Sequence, residues 1–182
     1  MIQLPPTFGP RELPRLEPFL EQLPRDLRFA VELRSIELAQ EGLPARLAED
    51  LLEEHGVGRV IMDTRPLRDG PGSHPDILAA RHKKPDLPAR EEALSQDPVV
   101  RIVFHPDASV NEPWLDRWAR ILADWLRDGL RPLAFVHSPS NRESPGIARE
   151  LHRRIGLHGS VGSMPAWPGE EGELASGQLA LL

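Results

Sequence analysis

The feature that most constrains this chain is a recurrence: four apolar runs each end in charged or polar residues and are each followed by a helix-like stretch. They are Phe29–Arg34, Arg59–Arg65, Val99–His105 and Leu133–Ser138. Parallel strands need long crossovers, and helices are the usual ones, so strand-then-helix order argues for an α/β fold with a parallel sheet. Such folds build their sites at the C-terminal ends of the strands, where the charges of these runs gather.

The helices between the runs carry their own signals. Leu43-Pro44 opens a helix to about Glu54, with Leu47, Leu51 and Leu52 on its apolar face and Gly56 as its stop. The stretch from Pro66 to Gln96 is rich in Gly and Pro and reads as a long loop with one short helix near Pro75–Arg81. Asn111 reads as an N-cap, with Pro113 in the first turn, for a helix to about Asp128. Its Trp114, Trp118, Ile121, Leu122 and Trp125 fall at helical spacing, the pattern of core packing. Ser144-Pro145 begins a last helix to about Ile155, stopped by Gly156. Ile2-Gln3-Leu4 reads as a further strand and Leu13 to Leu23 as its helix, giving five strands and about five helices. Two architectures fit: an open doubly wound sheet, or the last five units of an eight-fold barrel of roughly 250 residues.

Composition excludes several classes. The 182 residues, 40% hydrophobic and 27% charged, suffice for one domain with a core. A net charge of −6 gives no broad electrostatic footprint for nucleic acid. The absence of cysteine rules out disulfides, thiolate catalysis and Cys-ligated zinc, and fits a cytoplasmic protein. No apolar run approaches the ~20 residues of a membrane helix, and Met1–Pro6 lacks the regions of a signal peptide. Of the 22 basic residues only Lys83 and Lys84 are lysines, a bias read here as base composition.

Several short motifs, in order, carry a resemblance. They are Gln3-Leu4-Pro5-Pro6, Ala30-Val31-Glu32-Leu33-Arg34, Asp63-Thr64-Arg65-Pro66, Lys83-Lys84-Pro85-x-Leu87-Pro88 and Val100-Arg101-Ile102-Val103-x-His105-Pro106. Trp118, Trp125-Leu126-x-x-Gly129 and Val136-His137-Ser138-Pro139-x-Asn141 complete the set. Together they resemble the YecE-like family, the domain of unknown function 72, over nearly the whole chain. The resemblance implies a (β/α)8 TIM-type barrel, of which these would be strands four to eight, a partial barrel over 1–158; the Gly-, Ser-, Pro- and Glu-rich composition after Leu157 reads as a flexible tail over 159–182. Family members carry a further N-terminal portion with the first three strands, so this chain reads as a fragment. A half-barrel that is the real product would expose two strand edges and is expected to oligomerise. The family supplies no reaction and no cofactor to carry over.

The candidate site follows from the strand ends. Charges on strands covered on both faces need partners or water. One reading is a purely structural network, with Glu32 held by Arg101 and Asp63 by Arg34 or Arg65. A second makes Glu32, Asp63, His105 and His137 the catalytic candidates, able in principle to ligate a divalent metal; no His-x-His or His-Glu-x-x-His spacing supports that, and no metal is assigned. A third lets Arg34, Arg65 and Arg101, with Asn141, bind a phosphate or carboxylate while Glu32 or His105 moves a proton. The cluster Arg81-His82-Lys83-Lys84 reads as a solvated loop.

The end of the chain raises a different function. Gln178-Leu179-Ala180-Leu181-Leu182 resembles the bacterial sliding-clamp-binding peptide, with Gln178, Leu179, Leu181 and Leu182 as contact residues. Such a partner would link the protein to replication or repair, and to nucleic acid only indirectly. The competing reading is an apolar end folded back on the barrel.

Overall fold

The computed structural model describes residues 1–166. The proposed clamp peptide, Gln178 to Leu182, lies outside the described residues. Five parallel strands form one sheet in consecutive order: β1 (Ile2–Gln3), β2 (Ala30–Glu32), β3 (Gly58–Asp63), β4 (Val99–Val103) and β5 (Leu133–His137). The order contains no reversal, whereas a doubly wound sheet reverses at its switch point. The helices are α1 (Leu13–Glu21), α2 (Ile36–Ala39), α3 (Leu43–Glu54), α4 (Arg65–Asp69), α5 (Pro75–Lys83), α6 (Ala108–Arg127) and α7 (Ser144–His158).

Side chains alternate between the two faces of each strand, and this alternation sorts the core. On the outer face, Val31 packs with Leu16 and Leu20 of α1 and Leu52 of α3. Further along that face, Ile61, Val100, Ile102 and Phe104 pack with Trp118, Leu122 and Trp125 of α6 and Leu151 and Ile155 of α7. The tryptophan stripe is therefore core, as its spacing predicts. Trp118 and Trp125 meet edge to face at 6.3 Å and 71°, a geometry worth about 0.5–1.5 kcal/mol beyond area burial. Trp114 lies at the margin, under the Arg65 guanidinium at 4.7 Å and donating to Asp69.

The inner face carries Ala30, Val60 and Val99 low on the strands, then Glu32, Met62 and Arg101, and finally Val103 and His137 near the C-terminal ends. Leu67 of α4 and Ile77 of α5 fold over Met62 and Val103, closing that end of the face. The opposite end is open: Leu133 and Phe135 of β5 are 53% and 46% exposed. A cleft of about 380 Å³ there is lined by Met1, Phe29, Val99 and both of these residues.

Some local expectations change. The helix after β4 starts at Ala108 with Asp107 as its cap, the Asp107 carboxylate accepting from Ser109 N–H at 2.9 Å. Asn111 is instead buried inside α6; its Oδ1 accepts from His105 N–H at 2.9 Å and its Nδ2 donates to His105 O at 2.7 Å. A side chain that satisfies buried backbone groups looks in sequence like one that caps a helix, because both roles want a short amide. Helix α7 runs through Gly156 to His158, since packing of Leu151 and Ile155 on α6 outweighs one glycine. On α3, Ala45, Ala48 and Leu52 are buried and Leu51 packs against the cluster that holds Ala48 and Leu52, as expected for Leu51 and Leu52, while Leu47 is exposed. The stretch from Pro66 to Gln96 holds two helices, α4 and α5, and no long structureless loop precedes residue 84.

Helices α6 and α7 are joined by ion pairs as well as by apolar packing. Arg154 reaches Glu112, Asp116 and Glu150, each at 2.7 Å. Hydrogen bonds from Arg153, partly opposed by desolvation, and then from Arg154 lower the Glu150 carboxyl to about 2. Its folded value lies below the unfolded one of about 4.3. The stability it contributes is thus present above that pH and lost as pH falls toward 2. Acid titration of Glu150→Gln followed by circular dichroism is expected to show a shallower loss of stability across that window than the parent chain.

Candidate functional site

The C-terminal ends of the strands hold two charged networks on opposite faces. The first is on the outer face. Asp63, fully buried, accepts from the Arg65 backbone N–H at 2.9 Å, from Arg65 Nε and Nη2 at 2.9 and 2.8 Å, and from Trp118 Nε1 at 2.8 Å. Arg65 also binds Glu91, which binds Arg117 in turn. Burial raises the Glu91 carboxyl, but hydrogen bonds from Arg117 and Arg65 outweigh it and hold it below the usual range. With the lone pairs of Asp63 aimed at Arg65 and Trp118, this network fastens β3 to α6. Trp118→Phe removes one donor from a buried carboxylate and is expected to cost about 1–3 kcal/mol in urea unfolding.

His105 is likewise engaged at both ring nitrogens. Nδ1 accepts from Asp107 N–H at 3.0 Å, which leaves Nε2 as the donor to Pro71 O, also at 3.0 Å. The ring packs so closely on Gly70 that a Cβ there would meet Nε2 at 2.8 Å. His105 therefore orders the start of α6 and the α4–α5 connection.

The second network lies on the inner face and joins residues far apart in sequence. Glu32 is fully buried and ion-paired through Oε2 to Nη1 of Arg101, which also donates to Gln3 Oε1 at 3.1 Å. Glu32 Oε1 lies 3.7 Å from Arg34 Nε. Three buried polar atoms, Glu32 Oε1, Arg34 Nε and Arg101 Nε, have no hydrogen-bond partner among the described residues. Removing one member of a buried pair leaves the other charge uncompensated. Arg101→Leu is accordingly expected to cost about 3–5 kcal/mol by denaturant unfolding, with much of that recovered in Glu32→Gln/Arg101→Leu.

Lys84 completes this network and was not legible as a site residue. Its backbone O accepts from Arg68 Nη2 at 2.8 Å, and the neighbouring Lys83 O accepts from Arg34 Nη2 at 3.1 Å. Pro85 O accepts from Thr64 Oγ1 at 3.1 Å. The segment expected to be a solvated loop is thus nailed to the ends of β2 and β3. Arg81 turns inward to bond the carbonyls of Leu67, Arg68 and Gly70. Burial, then Arg101, and with smaller effect Arg34, push the Lys84 ammonium below the usual lysine range, against an opposing pull from Glu32.

Beside Lys84 is a cleft of about 370 Å³ lined by Lys83, Lys84, Val103, His137, Ser138 and Asn141, with Asp76 at its rim. Burial, then Arg101 and Lys84, depress the His137 imidazole, while a hydrogen bond with Asn141 and the charge of Glu32 oppose them. The neutral form of His137 is therefore favoured. Asn141 has φ +59°, alone among the described non-glycine residues in the left-handed region. Its amide N–H closes a turn onto Ser138 O at 3.0 Å. Lys84→Gln removes one repelling cation, so the His137 midpoint read by NMR is expected to rise in that variant.

Of the residues picked from sequence, Glu32, Arg34, Arg101, His137 and Asn141 come together at this mouth. Asp63 and Arg65 lie on the other face, and His105 is held in the α6 start. Among the described residues no group of three or more histidines, aspartates and glutamates could hold a metal ion, so the four catalytic candidates are not brought together. Gln3 and Lys84 were missed as site residues, although both stand in the motifs quoted above.

Residues 1–171 match the family described as Protein of unknown function DUF72. The chain belongs to that family. It is 32% identical over 168 residues to the YecE protein of Escherichia coli K12, covering 92% of this chain and 61% of that protein. The YecE protein of E. coli O157:H7 is 31% identical over the same length. The chain thus spans about three fifths of the length of these curated relatives. Its fold is similar to the crystal structure of a DUF72 family protein from Thermotoga maritima, with a TM-score of 0.56, 16% identity, and coverage of 85% of this chain and 55% of that one. Among the described residues no helix is long and apolar enough to cross a membrane.

Proposed function

We propose that the chain supplies strands four to eight of a closed (β/α)8 barrel whose polar mouth binds a small phosphate- or carboxylate-bearing ligand. Consecutive parallel strands, principal helices on one face and, among the described residues, unpaired outer edges at β1 and β5 support the architecture. The single observation that carries the ligand class is the charge imbalance at the inner-face mouth. Arg34, Lys84 and Arg101 face one buried carboxylate, Glu32, and the neutral form of the histidine beside them is favoured.

Partly desolvated cations in excess are costly, and an anion in the cleft offsets that cost. The same imbalance repels a divalent metal. Arg34 and Lys84 bind the anion, the Asn141 side chain orients it, and Arg101 acts through its pair with Glu32. His137, at the cleft wall and with its neutral form favoured, serves as the proton acceptor.

Titration calorimetry with inorganic phosphate and with acetate tests this reading. Saturable binding of at least one is expected, weakened at least about tenfold, or about 1.4 kcal/mol, by Arg34→Ala or Lys84→Gln. Arg127→Ala, at the exposed end of α6, is expected to leave it unchanged. Absence of binding to either anion, or equal binding in all variants, would overturn the assignment.

A further inference from the structure

Of the 22 basic side chains in this sequence, 20 are arginines. Arginine serves every ion pair among the described residues that engages a cation other than histidine. The two lysines are adjacent, and both line the same cleft. What an amine offers and a guanidinium does not is a lone pair at accessible pH.

The surroundings of Lys84 raise its share of free amine above that of an ordinary lysine. The residue is half-buried, and its side chain makes no hydrogen bond or ion pair with a described residue. The charged and titratable groups around it are Arg101, Arg34, Glu32 and His137, with Lys83 and Asp76 on the same cleft. The backbone at 83–85 is held by three side-chain hydrogen bonds from Arg34, Arg68 and Thr64, so the amine projects from a fixed base. Lys83, one residue away, is exposed.

We propose that Lys84 is a nucleophilic amine that forms an imine with a small carbonyl compound carrying a carboxylate or phosphate. The inference rests on the anion-binding reading above and deepens it. Lys84 Nζ attacks the carbonyl carbon, forming the C–N bond, and one of its two protons passes to the carbonyl oxygen, giving a carbinolamine. The His137 imidazole accepts the second nitrogen proton and passes it to the departing hydroxyl. Water leaves as the C–O bond breaks and the C=N bond forms. No oxidant or reductant takes part. Arg34 and the side-chain amide of Asn141 hold the anionic end. Burial and the neighbouring guanidiniums keep a larger share of Lys84 in the free-base form than an ordinary lysine has.

The test is reductive trapping of the 182-residue chain with pyruvate or with dihydroxyacetone phosphate, each with sodium cyanoborohydride at pH 7, read by intact mass and peptide mapping. The two probes distinguish a carboxylate from a phosphate requirement. A single adduct on Lys84, at least about tenfold above Lys83, is expected with one or both probes. It is expected to vanish in Lys84→Arg, which keeps the charge, and to form more slowly in His137→Gln. Equal labelling of Lys83 and Lys84, or no adduct, overturns the imine. Calorimetric binding of phosphate or acetate without an adduct would leave the anion site standing and remove only the imine; loss of both would remove both.

Discussion

Glu32 is a carboxylate with no exposed surface in the middle of a parallel sheet, and the inner face is organised around keeping it compensated. Its partner, Arg101, comes from β4, with β3 between them, so the pair spans three strands. Gln3 on β1 joins through Arg101 and extends the tie across four. A buried pair of this kind is seldom a net source of stability against apolar packing. Its contacts form a polar tie that links β1, β2 and β4 across β3 on the inner face.

The same constraint explains why two similar networks have different prospects. Asp63 and Glu32 both sit near strand ends, yet they lie on opposite faces because of the two-residue repeat of a strand. Asp63 meets the helix layer, where Trp118 and Arg65 consume its lone pairs. Glu32 meets the inner face, where, among the described residues, Arg34 and Arg101 each keep an Nε with no hydrogen-bond partner and the Lys84 side chain makes no hydrogen bond. One network is complete and fastens the sheet to α6. The other is incomplete and stands beside a cleft.

Much of the local structure was legible. All five strands and the four longer crossover helices occur within a few residues of their expected positions, because alternation, tryptophan spacing and terminal signals are local properties. The misreadings also have local causes. Asn111 has the chemistry of a cap but bonds the His105 backbone, and Gly156 has the composition of a stop but sits where α7 is already held by α6. The basic run at 81–84 looked like a solvated loop because its anchors, Arg34, Thr64, Leu67 and Gly70, are remote or unremarkable in sequence.

The sequence by itself determined the α/β class, the family and the presence of polar residues at the C-terminal ends of the strands, since these follow from short-range pattern and from motif order. Only the tertiary structure decided which of those residues share a face. Parity along each strand and register between strands placed Glu32, Arg34, Arg101 and His137 around one mouth and turned Asp63 away from it, while His105, two residues past the end of β4, is held by Pro71 O and the Asp107 N–H instead. The fold of α4 and α5 over Met62 and Val103 brought Lys84 to the same place. That juxtaposition depends on contacts between residues up to 98 positions apart, and no local pattern in a single sequence encodes it.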